Sequence, residues 1–134
     1  MANAENQDLQ DLFAVECHGH LAAMRAQLAP LAAGADTPAG RAAAAALSDI
    51  LHTLAGAARA VDLVDLEYLC RAVEGMLADH PAQLDGARLA LIDAVVDLAP
   101  QLLSPPSGRV RNQMMALASR CAAATAPAMA GANA

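Results

Sequence analysis

A histidine within an alanine-rich stretch is the first candidate for chemistry in this sequence. With Leu47 as the reference and 100° per residue, the apolar residues of the stretch form one stripe, and His52 falls about 140° from Leu47. His52 should therefore project into solvent from the middle of a helix. A neutral imidazole has one unprotonated ring nitrogen, so an exposed histidine can act as a nucleophile. The alternative is an ordinary solvated surface histidine.

Gly56 lies one turn after His52 on the same predicted face. Glycine inside a helix costs about 1 kcal/mol relative to alanine, so an exposed glycine there needs a reason. Close approach of a large partner to the backbone beside His52 is one reason, and a tolerated glycine in an alanine-rich sequence is the other. The same predicted exposed face carries Ser48, Ala55 and Arg59.

Cys17 and His20 could share one face of the first predicted helix, which suggests a metal site at first sight. Two ligands do not make a zinc site, however, and no second pair with suitable spacing follows, so we predict none. The three cysteines are widely spaced and odd in number. We expect them to be small residues on helix faces and not a disulfide framework.

Five helical segments, separated by Gly, Pro and Asp residues, must position these side chains. Their expected bounds are about 7–31, 38–60, 62–79, 84–103 and 107–122, with Asp62 as the N-cap of the third helix. No stretch alternates with a period of two, and short connections favour antiparallel neighbours. We therefore predict an all-α fold, an antiparallel up-down four-helix bundle with an additional C-terminal fifth helix.

Charge and composition narrow the class of protein. The net charge is −6, and the eight basic residues are all arginines spread along the chain, which argues against a nucleic-acid-binding protein. The start of the chain lacks the features of a signal peptide, and no apolar run reaches the length of a membrane span. We expect a cytoplasmic protein without direct membrane contact. Residues 123–134 are rich in Ala and Pro, and we expect a flexible linker or tail, which suggests that the natural protein continues.

The stretch LHTLAGAAR at residues 51–59 resembles the phosphorylation motif of histidine phosphotransfer domains. In that motif the histidine is followed by a small polar residue, an apolar residue, usually lysine, then glycine, a small residue and alanine. The next helix continues the resemblance with Leu63, Leu66, Leu69, Val73 and Glu74. The first helix is similar to that of the N-terminal phosphotransfer domain of CheA-type chemotaxis kinases. The positions that match are Leu12, Phe13, Glu16, Leu21, Met24 and Leu28.

This resemblance implies a phosphoryl carrier of a two-component, chemotaxis-type phosphorelay, formed by residues 7–122. His52 would accept a phosphoryl group from a kinase ATP-binding domain and donate it to the aspartate of a response-regulator receiver domain. Glu74 would orient the imidazole by accepting a hydrogen bond from Nδ1–H. The residues expected to contact the partner are Ser48, Ala55, Gly56, Arg59 and Arg71.

No cofactor is expected in this domain, because the sequence has no glycine-rich nucleotide loop and no cluster of carboxylates for Mg²⁺. ATP and Mg²⁺ would belong to the partner kinase domain, and a further Mg²⁺ to the receiver. The chain would then be the phosphoacceptor fragment of a histidine protein kinase, or a standalone or hybrid-kinase phosphotransfer protein. The alternative from another class is a non-signalling or degenerate helical adaptor or dimerisation bundle, in which His52 is incidental.

The sequence departs from the family motif at two positions. Ala55 stands where the family usually has a lysine that helps to bind the phosphoryl group. Either Arg59 or Arg71 replaces this lysine, or the phosphohistidine is less protected than in the family. Asp62 stands where the family usually has a glycine. Neither departure removes the nucleophile.

Overall fold

The computed structural model describes residues 2–78 and 84–125. Over these ranges the helices are α1 (Ala2–Ala33), α2 (Pro38–Ala60), α3 (Val64–Ala78), α4 (Gly86–Leu98) and α5 (Gly108–Thr125). A short 3-10 turn over Ala99–Leu102 follows α4. No strand occurs in these two ranges, and the prediction of an all-α helical bundle with a C-terminal fifth helix is confirmed.

Three helices in succession form one side of the bundle, because α1 packs on α2 and α2 packs on α3. The Gln10 side chain, near the start of α1, donates a hydrogen bond of 2.8 Å to the carbonyl of Val61 at the end of α2. These two helices therefore run antiparallel. The helix α4 packs against α1 and α5, and α5 lies along α3. Arg25 of α1 reaches Asp93 and Asp97 of α4 at 2.8 and 2.6 Å.

Aliphatic side chains and methionine form the core, as the scarcity of aromatic residues predicts. The largest fully buried side chains are Met24, Leu31, Leu47, Leu51, Leu54, Leu66, Leu69, Ile92, Leu102 and Met114. Burial of one such side chain contributes about 1.5–3 kcal/mol to folding. The fifth helix extends the core, because its residues Met114, Ala118 and Cys121 are buried.

The connection between α2 and α3 differs from expectation at Asp62. Asp62 has a φ of 63°, its amide donates to the carbonyl of Arg59 at 3.2 Å, and the amide of Leu63 donates to the carbonyl of Ala58 at 2.9 Å. Together these bonds form a Schellman motif, which ends a helix with one left-handed residue. The prediction that Asp62 is the N-cap of the third helix is wrong, because this residue terminates α2 and α3 begins at Val64.

Three other helix ends differ from the expected bounds by three residues or more. The first helix already begins at Ala2. The fourth ends at Leu98 because Pro100 has no amide hydrogen to continue the α-helical pattern, and the chain tightens into the 3-10 turn. The fifth continues to Thr125. The predicted end of the third helix, at about residue 79, falls in the segment 79–83, and most of the predicted tail is 126–134. Both segments lie outside the described residues.

Candidate functional site

The position of His52 follows from the way in which α2 begins and packs. Thr37 caps the helix by accepting a hydrogen bond of 3.0 Å from the amide of Gly40, and Pro38 occupies the first turn. Leu47, Leu51, Leu54 and Ala58 are buried, which fixes the rotation of the helix about its axis. The side chain of His52 consequently points outward and is 74% exposed.

Glu74 of α3 lies beside the imidazole ring of His52. One carboxylate oxygen, Oε2, is 3.3 Å from His52 Nδ1, and the glutamate side chain is only 21% exposed. An ionised carboxylate can only accept a hydrogen bond, so this contact requires a proton on Nδ1. In the neutral ring, Nε2 then carries the lone pair. The arrangement can therefore present a nucleophilic nitrogen to a partner.

Arg71 completes the polar cluster from one turn earlier on α3. Its Nη1 donates to the second carboxylate oxygen of Glu74, Oε1, at 2.9 Å, and lies 3.4 Å from His52 Nδ1. Its Nε is 3.9 Å from Glu67. Glu74 thus contacts the arginine of its own helix with one oxygen and the histidine of the neighbouring helix with the other.

The other predicted site residues divide into exposed and buried positions. Gly56 and Arg59 are exposed and Ser48 is half-buried. The prediction that Ala55 lies on the exposed face is wrong, because Ala55 is fully buried. Packing of α3 against the flank of α2 widens the buried arc beyond the stripe centred on Leu47. The periodicity of a single helix does not reveal on which flank the next helix lies.

Within residues 2–78 and 84–125, nothing requires glycine at position 56. A Cβ atom built on Gly56 would meet no atom within 4 Å outside its own helix backbone and chain neighbours. The space beside the backbone at Gly56 is open to solvent and lies one helical turn from His52. A partner can therefore approach the helix there more closely than over any larger side chain.

Two exposed apolar regions lie outside the set of predicted site residues. Leu12 and Val15 of α1 are 67% and 75% exposed, although the family resemblance matches Leu12. Val64, Tyr68 and Met115 are also exposed and line a groove between α3 and α5. A helical projection of α1 centred on its buried residue Cys17 places Leu12 and Val15 on the outer side, so periodicity could have identified that pair.

The thiols of the three cysteines are not available at the surface. Cys17, Cys70 and Cys121 are buried and unpaired, and desolvation raises their thiol pKa values to about 11, 12 and 11. Among residues 2–78 and 84–125, no group of three or more His, Cys, Asp or Glu side chains is arranged to hold a metal ion. In the same ranges, no helix combines the length and apolar character needed to cross a membrane.

Comparison with known proteins gives one positive result. The family model of the Hpt domain matches residues 8–104, a range that contains α2, α3 and both partners of the His52–Glu74 contact. Comparison with curated proteins found no match, and neither did comparison with solved structures.

Proposed function

The chain belongs to the histidine phosphotransfer (Hpt) domain family, and we propose that His52 is the residue that carries the phosphoryl group. Membership of this family makes the domain a phosphotransfer carrier in two-component signalling. The observation that carries the proposal for His52 is its exposed ring with Glu74 Oε2 at 3.3 Å from Nδ1. A glutamate in this position leaves the Nε2 lone pair directed to solvent, where two different partners can reach it.

In the proposed first step, Nε2 attacks the γ-phosphorus of ATP held by a kinase domain. The Nε2–P bond forms, the bond between this phosphorus and the oxygen of ADP breaks, and the ring gains positive charge. The carboxylate of Glu74 stabilises that charge through the Nδ1–H hydrogen bond. In the second step a carboxylate oxygen of a receiver aspartate attacks the phosphorus, the Nε2–P bond breaks, and Nε2 regains its lone pair.

The partners are proposed in the same way. A kinase ATP-binding domain would supply ATP and Mg²⁺, and a response-regulator receiver would supply its aspartate and its own Mg²⁺. We further propose a CheA-type chemotaxis kinase as the parent system, supported by the resemblance of the first helix. The exposed positions Gly56 and Arg59 and the half-buried Ser48 would contact the receiver.

The missing lysine has two candidate replacements. Position 55 is an alanine, so the cation cannot come from that position in this chain. Arg59 of α2 is exposed and the guanidinium of Arg71 is next to the His52 ring, and either could supply the positive charge that stabilises the phosphoryl group.

The test is phosphorylation of the purified chain by a CheA-type kinase core with labelled ATP. We expect acid-labile, alkali-stable label on the wild type and complete loss of label in His52→Gln. His18→Gln is the matched control, because His18 is an exposed histidine of α1, and it should be labelled like the wild type. Equal label on His52→Gln would contradict the proposal. Absence of label with several kinase cores and several phosphorylated receivers would favour the helical adaptor.

A further inference from the structure

The two polar contacts at Nδ1 of His52 make opposite demands on the proton of that nitrogen. Glu74 Oε2, at 3.3 Å, can only accept a hydrogen bond and needs Nδ1–H. Arg71 Nη1, at 3.4 Å, can only donate and needs a lone pair on Nδ1. One neutral ring cannot satisfy both contacts. In the second case the proton would move to Nε2, and Nε2 would lose the lone pair that attacks phosphorus.

The remaining contacts of Arg71 decide between these two states. Arg71 Nη1 is closer to Glu74 Oε1, at 2.9 Å, than to the histidine, and a hydrogen bond between two ionised groups is stronger than one to a neutral ring. Its Nε lies 3.9 Å from a second carboxylate, that of Glu67. The guanidinium is therefore held by carboxylates on its own helix, and Nδ1 is left to Glu74 Oε2.

We propose that Arg71 is a positioning residue, which holds Glu74 in the orientation that keeps the proton of His52 on Nδ1 and the lone pair on Nε2. The side chains of Glu67 and Glu74 are only 22% and 21% exposed, so both are partly shielded from water that would compete for Arg71. The tautomer is a property of the resting protein. Its consequence for phosphorylation rests on the proposed function of His52.

The first experiment measures the His52 tautomer directly from the ¹⁵N chemical shifts of the imidazole nitrogens, at about pH 8, where an ordinary histidine is neutral. The signals of His52 are assigned by their loss in His52→Gln. The variants are Arg71→Ala, Arg71→Lys and the control Arg41→Ala, which removes an exposed arginine from the neighbouring helix. Thermal unfolding verifies that each variant is folded.

We expect the wild type to carry the proton mainly on Nδ1. Arg71→Ala should shift the population toward Nε2–H, Arg71→Lys should retain most of the Nδ1–H form because lysine can still pair with Glu74, and Arg41→Ala should match the wild type. An unchanged tautomer in Arg71→Ala would overturn the proposal. A larger Nδ1–H population in that variant would also overturn it, since it would show that Arg71 donates to Nδ1 in the wild type.

The second experiment follows phosphorylation by phosphoramidate, a small donor that needs no protein partner. Arg71→Ala should react roughly tenfold more slowly than the wild type, equivalent to about 1.4 kcal/mol in the barrier, because fewer rings carry the lone pair on Nε2, and Arg71→Lys should recover most of the rate. If the wild type is not phosphorylated by phosphoramidate or by any kinase, the proposed function fails while the tautomer result still decides the role of Arg71. If wild type and Arg71→Ala react equally fast, the tautomer does not limit the reaction and this part of the proposal is overturned.

Discussion

Two glycines of α2 differ in whether the fold itself requires glycine at their positions. Gly40, in the first turn, is buried, and a Cβ atom there would overlap the carbonyl oxygen of Gly34 and lie 2.8 Å from the Cα of Ala35. Gly56, beside His52, would accept a Cβ without contact with any neighbouring element among the described residues. The fold explains the first glycine completely. It gives no reason for the second, so the reason for Gly56 is to be sought in a partner.

The largest effect is expected from the addition of a methyl group at Gly40. Gly40→Ala should lower the free energy of unfolding by about 3 kcal/mol, because the added carbon overlaps backbone atoms of the α1–α2 connection that cannot rotate away. Chemical denaturation, monitored by circular dichroism, measures the change. Gly19→Ala is the control, since Gly19 is an exposed glycine of α1 with nothing within 4 Å of its Cβ position. If Gly40→Ala and the wild type unfold at the same denaturant concentration, the α1–α2 connection does not pack against Gly40 in solution as described.

The sequence predicted the exposed position of Gly56 but not the crowded position of Gly40, for a physical reason. Gly56 follows a histidine within one helix, so helical periodicity alone places both on an outer face. Gly40 is explained by the backbone of Gly34 and Ala35, which belong to the preceding connection. The path of that connection is a tertiary property that helical periodicity does not contain.

The same limit applies to the candidate site. The spacing of residues along α2 was enough to place His52 outward, and the family resemblance was enough to select Glu74 as its neighbour. The buried position of Ala55 and the shared contact of Arg71 with Glu74 and His52 depend on the flank on which α3 packs. Only the assembled bundle shows that flank.

A second prediction tests whether the open space at Gly56 serves a partner. Gly56→Leu should leave the domain folded, because the side chain projects into solvent, and should slow phosphoryl transfer to a receiver roughly tenfold, a loss of about 1.4 kcal/mol of transition-state stabilisation. Gly56→Ala should raise the free energy of unfolding by about 1 kcal/mol, since alanine favours the helix and meets no obstacle. Stopped-flow transfer assays and denaturation measure the two effects.

The control for Gly56→Leu is Ala42→Leu, which adds similar bulk to an exposed position of α2 about 15 Å along the helix from His52. It should transfer phosphate at the wild-type rate. Equal rates in Gly56→Leu, Ala42→Leu and the wild type would mean that no partner approaches the backbone at Gly56. The glycine would then be merely tolerated, and its contrast with Gly40 would carry no functional meaning.

The end of α2 supplies a third position for the comparison. The backbone there favours glycine, but the residue is Asp62. Asp62 adopts a φ of 63°, a left-handed conformation that glycine occupies without the steric cost of a Cβ atom. Asp62→Gly should raise the free energy of unfolding by about 0.5 kcal/mol, because relief of that cost is partly offset by the greater freedom of glycine in the unfolded chain. Asp62→Ala should lower it by about 1 kcal/mol, since alanine tolerates the left-handed region less well than aspartate.

The order of these variants, glycine above aspartate above alanine, is the outcome that denaturation must show if the Schellman motif ends α2 in solution. An alanine variant as stable as the glycine variant would mean that residue 62 does not hold a positive φ. His52 phosphorylation should be unchanged in both, because Asp62 is ten residues beyond the histidine and contacts neither Glu74 nor Arg71 in the described hydrogen bonds. Gly40 and Asp62 would then be positions that only stability measurements can detect, whereas a bulky substitution at Gly56 would change transfer without unfolding the domain.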